Sequence, residues 1–200
     1  MIRAVLFDFG GVIAEEGFRG GLMAIARKNR REPETFFAAA DRIIYDCGYL
    51  TGKADEAAFW SAVRNETGVK GSDRELRDEI LRRFVLRPEM LEYAGRIRAG
   101  GRTVALLSDQ TNWIEEIDRE TGLFRRFDRV FNSFRIGKSK RDSAVFPYIC
   151  GVLGVQPGEA LFIDDNAGHI GRAASQGLRT FLFTTVEDFG MKIDSLMRGQ

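Results

Sequence analysis

The chain reads as an α/β protein: a three-layer α/β/α core built on a parallel sheet, with a small all-helical domain inserted after the first strand. Three observations predict this. Short apolar runs recur at Ala4–Phe7, Thr103–Leu107, Arg129–Phe131, Ala160–Ile163 and Thr180–Phe183, and runs of this kind suit strands buried on both faces. Helical patterns separate most of them, as βαβ units require. The interval from Ile13 to Pro88 holds helical stretches and no strand, although a crossover needs only a dozen or so residues.

The first run ends in Asp8-Phe9-Gly10-Gly11. Ligands of open α/β sheets collect just past the carboxyl ends of the strands. Gly10 and Gly11 let backbone N–H groups approach a ligand with no Cβ in the way. A carboxylate placed there is a nucleophile, a metal ligand or both, or it caps a turn. In the long insertion, helices are expected at about 20–29, 33–46, 54–67 and 72–85, enough for a bundle over the sheet's carboxyl edge. Hinges at Ala14–Gly17 and Arg87-Pro88 divide the chain into a core of residues 1–14 and 88–200 and a cap of residues 15–87. A cap directly after a candidate nucleophile suits a lid that shuts out water; a structural decoration is the alternative.

Pro88 opens a helix carrying Met90, Leu91, Ala94 and Ile97, stopped by Gly100-Gly101. Asp142 or Ser143 is expected to cap a helix running through Val145, Tyr148, Ile149 and Val152. The segment Asn166–Gln176 closes at Gly177, and a last amphipathic helix, Glu187 to Met197, packs Phe189, Ile193 and Leu196.

Three later strand ends supply what a site at Asp8 would lack. The second strand ends in Ser108-Asp109, where a hydroxyl and the N-terminus of the next helix make an anion site; either residue can also cap that helix. After the third strand, Gly137-Lys138-Ser139-Lys140-Arg141-Asp142 offers a fixed cation for a phosphate-sized anion, or a solvated turn. The fourth strand ends in Asp164-Asp165. Adjacent carboxylates repel unless something positive sits beside them, and a hard divalent cation ligated from two strands is the economical answer. Mg²⁺ suits phosphate chemistry.

Lys plus Arg (30) nearly cancels Asp plus Glu (29), which argues against nucleic acid or a membrane surface as partner. Arg27-Lys28-Asn29-Arg30-Arg31 and Arg125-Arg126 read as solvated helix faces. No apolar run approaches the roughly 20 residues that span a bilayer, and the N-terminus runs into a strand without a signal pattern. Cys47 and Cys150 stand far apart and read as reduced thiols. The expectation is a cytoplasmic protein, monomer or homodimer.

Taken together, the four strand ends resemble those of the haloacid dehalogenase-like hydrolase superfamily, essentially end to end. The motifs are Phe7-Asp8-Phe9-Gly10-Gly11-Val12, Leu107-Ser108-Asp109, Gly137 through Asp142, and Ile163-Asp164-Asp165-Asn166. Thr51-Gly52-Lys53-Ala54-Asp55-Glu56-Ala57-Ala58-Phe59-Trp60 resembles a common cap signature. The resemblance implies a Rossmann-like core and hydrolysis of a small phosphorylated molecule through an aspartyl-phosphate on Asp8. It also implies that Asp8, the carbonyl of Gly10 and Asp165 hold Mg²⁺, with Asp164 adjacent or bound through water. Ser108, the amide of Asp109 and Lys140 would hold the phosphoryl oxygens, alongside the glycine turn at Gly10 and Gly11.

Two departures stand out. The family's phosphatases carry a second Asp two residues after the nucleophile as general acid and base; here that position is Gly10. Glu15, Glu16 and His169 are the groups that could deputise, although a helix-surface or packing role is the plainer reading of His169. Arg141 stands where proline is usual. A phosphatase, slowed by Gly10, is the first reading. A catalytically impaired protein that binds a phosphorylated ligand or a protein partner is the second. A haloacid dehalogenase is less favoured, since that chemistry needs no metal.

Overall fold

Five strands, β1 (Ala4–Phe7), β2 (Thr103–Ser108), β3 (Arg129–Asn132), β4 (Ala160–Asp164) and β5 (Arg179–Leu182), form one parallel sheet in the order β3-β2-β1-β4-β5. The structure, a computed structural model, describes residues 1–198. β1 is central. The chain builds outward from it to β2 and β3, then crosses to β4 on its other side, and this reversal opens a crevice beyond the carboxyl ends of β1 and β4.

The insertion contains α1 (Gly17–Lys28), α2 (Pro33–Asp46), α3 (Glu56–Thr67) and α4 (Asp73–Leu81), close to the four expected stretches. Side chains satisfy the N–H groups that each helix start leaves open: Glu16 for α1, Glu32 for α2, Asp55 for α3, and a reciprocal Ser72–Glu75 pair for α4. Glu79, buried on α4, gathers Lys28, Arg82 and Arg83. The two connections to the core run side by side: Glu15 N donates to Val85 O and Arg87 N to Ile13 O, each at 2.8 Å. Arg87 Nη1 also donates to the carbonyls of Gly11, Val12 and Ala14. One guanidinium thus ties the returning hinge to the loop that follows Asp8.

Alternate residues of each strand serve opposite faces. Val5, Phe7, Val104, Leu106, Leu161 and Ile163 point to one apolar layer, with α5 (Pro88–Ala99), α6 (Trp113–Thr121) and, later in the chain, a terminal helix. Ala4, Leu6, Ala105, Leu107 and Phe162 face the other. After a single short turn, α7 (Ser133–Ile136), that second face is covered by α8 (Val145–Leu153) and α9 (Ala167–Ser175). The terminal helix, α10 (Val186–Arg198), returns to the first face through Phe189 and Ile193. Among the described residues, no helix is long and apolar enough to cross a membrane.

Two expected caps are corrected. α6 begins at Trp113, past Asp109, so neither Ser108 nor Asp109 caps it; the polar run Gln110-Thr111-Asn112 delays the helix. α8 begins after Ala144 with no side-chain cap. Asp142 instead closes the preceding turn, its Oδ1 accepting from Ala144 N at 2.9 Å.

Candidate active site

Strand register brings the acidic residues together. Phe7 pairs with Ile163, so the next residues, Asp8 and Asp164, leave adjacent strands side by side. Carboxylate oxygens of Asp8, Asp164 and Asp165 lie within 4.8 Å of one another. Lys140 Nζ reaches in from the loop after α7, 2.7 Å from Asp8 Oδ1 and 2.7 Å from Asp164 Oδ2. Asp8 Oδ1 also accepts from Phe9 N at 2.7 Å. Asp8 is therefore held through one oxygen, and Oδ2 has no hydrogen-bond donor among the described residues.

Three carboxylates share a single buried ammonium. Burial pushes the Asp8 carboxyl well above the usual range; Lys140 opposes this, while Asp164 and Asp165 add to it. Burial would raise Asp164 as well, but Lys140 and His169 outweigh it and hold that carboxyl at about 2. Asp165 is raised, by partial desolvation and then by Asp164. Desolvation works against the Lys140 ammonium, yet Asp164, Asp8 and Asp109 keep it charged. A cluster with more buried negative charge than one lysine neutralises, built only of hard oxygens, fits a divalent cation such as Mg²⁺ or Ca²⁺. Asp8, Asp164 and Asp165 are the side chains that could hold it.

The glycine turn is built around these groups. Gly11 has φ +89°, and a Cβ there would run into the Asp165 carboxylate, so a side chain is excluded on two counts. Gly10 has no positive φ; a Cβ would meet the Phe84 ring at 3.3 Å and Gln110 Nε2 at 3.9 Å. Ser108, at the end of β2, is buried, and among the described residues its Oγ has no hydrogen-bond partner. An unmade bond of this kind costs about 1–3 kcal/mol, so the hydroxyl is a ready ligand for an anion oxygen. Asp109 uses its carboxylate as well as its backbone: Oδ1 and Oδ2 accept from Lys140 N at 2.9 and 3.1 Å. It thereby fixes the loop that delivers the ammonium.

Asp8, Gly10, Asp109, Lys140 and Asp165 open onto a cleft of about 490 Å³ between core and cap. Ser108 and Asp164 sit buried behind them. Phe18, Phe37 and Tyr45 line the cap side, whereas Phe36, Tyr49 and Trp60 are buried core. Of the three groups that could replace the missing acid, Glu15 is held by Arg87, while Glu16 and His169 line the cleft. On α9, His169 places Nδ1 3.1 Å from Asp164 Oδ2. Sequence reasoning missed Arg172, whose Nε donates to Lys140 O at 2.7 Å. Arg141, noted in the sequence only as standing where proline is usual, pairs with Asp41 at 2.8 Å and stacks 3.3 Å from the Tyr45 ring centre. Tyr45 Oη in turn stands 3.4 Å from Asp109 Oδ2. Only their position after a strand end, beside the candidate lysine or acidic pair, could have flagged them.

Comparison with known proteins agrees with this architecture. The chain is 31% identical over 94 residues to (S)-2-haloacid dehalogenase 1 of Pseudomonas sp. (strain CBS-3), covering 46% of this chain and 41% of that enzyme's length. A HAD family enzyme from Bacteroides thetaiotaomicron superposes with TM-score 0.78 at 21% identity, covering 96% of this chain and 98% of that one; it has also been solved in complex with magnesium and inorganic phosphate. A predicted HAD-like family hydrolase from Porphyromonas gingivalis superposes with TM-score 0.77 at 24% identity over the whole of both chains. The family model for haloacid dehalogenase-like hydrolases matches residues 2–177. The chain belongs to the haloacid dehalogenase-like hydrolase family.

Proposed function

We propose that this protein hydrolyses a small phosphorylated molecule, with Mg²⁺, through an aspartyl-phosphate on Asp8. The observation that carries this reading is the convergence of Asp8, Asp164 and Asp165 oxygens within 4.8 Å around the Lys140 ammonium. The magnesium and phosphate complex of the Bacteroides enzyme, which shares the fold, supports it. Asp8, Asp165 and the Gly10 carbonyl would hold the metal, with Asp164 beside it. Bound there, Mg²⁺ offsets the negative charge of the carboxylates and of the phosphoryl group.

Asp8 Oδ2 attacks phosphorus, a P–O bond forms to Asp8, and the ester P–O bond breaks. The leaving oxygen takes a proton from a cleft group; water then attacks the same phosphorus and gives a proton back to that group, and the P–O bond to Asp8 breaks, returning the carboxylate and releasing phosphate. As a carboxylate, Asp8 needs no separate base to become a nucleophile. Lys140 and the Ser108 hydroxyl receive the phosphoryl oxygens, with the amide of Asp109; the Gly11 amide, expected to help, is instead committed to Ala14 O at 2.8 Å. Glu16 and His169 are the cleft groups able to carry the leaving-group proton. Gly10 stands where the resemblance implies a second Asp, so turnover is slow on poor leaving groups.

The test gives purified protein a panel of sugar phosphates, nucleotides, an aryl phosphate and 2-haloacids, with Mg²⁺ or with chelator. Phosphate release that disappears with chelator and in Asp8→Asn is the expected outcome. Halide release that survives chelation would replace the reading with carbon–halogen hydrolysis, which the three clustered carboxylates disfavour. Absence of turnover on every substrate would favour the second reading, a phosphate-binding protein without catalysis, for which Gly10 is the supporting feature.

A further inference from the structure

Beside Lys140, three arginines line the cleft, Arg19, Arg141 and Arg172, and they are unevenly committed. Arg19 pairs with Glu34 at 2.6 Å and Arg141 with Asp41 at 2.8 Å. Arg172 also lines the cleft, yet among the described residues it forms no ion pair. Its single side-chain hydrogen bond there is from Nε to the backbone carbonyl of Lys140. Its two Nη groups lie over Gly168, where a Cβ would be 3.5 Å from each. The guanidinium is thus folded back along α9 toward the helix start, as long helical side chains are. It reaches the edge where the sheet's carboxyl ends open, with one side pinned and the other free.

The pin also sets a distance. Arg172 holds the carbonyl end of Lys140, and the Lys140 ammonium stands at the far end of the same residue, against Asp8. A four-carbon stem separates the two by about 6 Å. The phosphoryl group beside Asp8 meets the Lys140 ammonium, so a group on the free Nη edge of Arg172 is a second one, near enough to belong to the same small molecule. A guanidinium offers a planar fork that suits a carboxylate or a phosphate.

We propose that Arg172 forms a second anion subsite, and that the substrate is a small phosphate ester bearing another acidic group, carboxylate or phosphate, a few bonds from the ester. This rests on the phosphatase reading and deepens it. The alternative is that Arg172 only secures the Lys140 loop.

Calorimetric titration of the whole protein with Mg²⁺ separates the cases without requiring turnover. The probes are ethylphosphonate, 3-phosphonopropionate and ethylene-1,2-diphosphonate, alike in spacing and differing in the second acid. At least one diacid should bind about 10- to 100-fold tighter than ethylphosphonate, the range for a hydrogen bond to a charged group. That ratio should fall toward one in Arg172→Gln and part of the way in Arg172→Lys. Equal affinity for all three probes in the parent protein overturns the subsite, whether or not the variants fold. So does a ratio that persists in Arg172→Gln. Binding of ethylphosphonate with no gain from a second acid removes the subsite alone. Failure of all three to bind removes the phosphoryl reading with it.

Discussion

Lys140 Nζ stands 2.7 Å from Asp8 Oδ1, and the lysine side chain is only 1% exposed. A buried lysine this close to a buried carboxylate holds its charge because it has two partners, Asp8 and Asp164. Removing the cation leaves two carboxylates facing each other without water. Lys140→Met should lower the metal-free protein's stability by about 3–5 kcal/mol, the range for breaking a buried pair from one side. Denaturant unfolding reads this directly. A loss below about 1 kcal/mol would mean that the pair is hydrated in solution.

Gly10 is where the site departs most from its family. Its backbone has no positive φ, and the nearest obstruction to a side chain is a ring edge of Phe84 at 3.3 Å. Gly10→Asp should therefore fold and supply the missing proton carrier. Positioned proton transfer is worth roughly 10²–10⁴. Hydrolysis of an alkyl phosphate should rise at least about tenfold, while that of an activated aryl phosphate changes little. Steady-state rates on the two leaving groups decide it.

Cation binding should be visible as heat resistance. At about 100 times the dissociation constant, a ligand adds roughly 2.7 kcal/mol. For a chain of this size that corresponds to a melting temperature about 5–10 °C higher. Mg²⁺ should give this rise, and Asp165→Asn should lose most of it. Equal shifts in parent and variant would place the ion elsewhere.

The cap has its own charged centre. Burial by itself would raise Glu79, but Lys28, Arg82 and Arg83 outweigh it and leave the carboxyl below its ordinary range. The unfolded chain, with a Glu near pH 4.3, then takes up the proton first as pH falls. The contribution is complete above about pH 4.3 and disappears as pH drops through the lowered native value. Glu79→Gln should melt below the parent at pH 7, with the gap closing toward pH 3. A gap of constant size across that range would show the ion cluster to be energetically idle.

Gly11→Ala meets two obstacles at once, a φ of +89° and the Asp165 carboxylate. It should displace Asp165 and weaken Mg²⁺ binding, seen as a smaller thermal shift than in the parent.

The parts of this molecule that were legible in its sequence are those governed by local pattern. Apolar runs marked the strands because both faces of a parallel sheet are buried. Periodicity gave the four cap helices, and Asp8, Lys140 and Asp164-Asp165 stood out as polar residues ending apolar strands or following them. What escaped depends on contacts between distant segments. Ser108 and Asp109 looked like helix caps, and nothing nearby signals that Asp109 turns to the Lys140 amide instead. His169 looked like a surface residue until α9 was set against Asp164. Arg87, Arg141 and Arg172 resemble the other arginines of a charge-rich chain; only the fold shows which backbone carbonyls or carboxylates they reach.

Arg141 adjoins Lys140 in the chain and reaches across to Asp41 and the ring of Tyr45. The residue beside the ammonium is thus moored to the helical insertion. Any change that shifts Asp41 or Tyr45 is transmitted through one peptide link to the cation beneath the cleft.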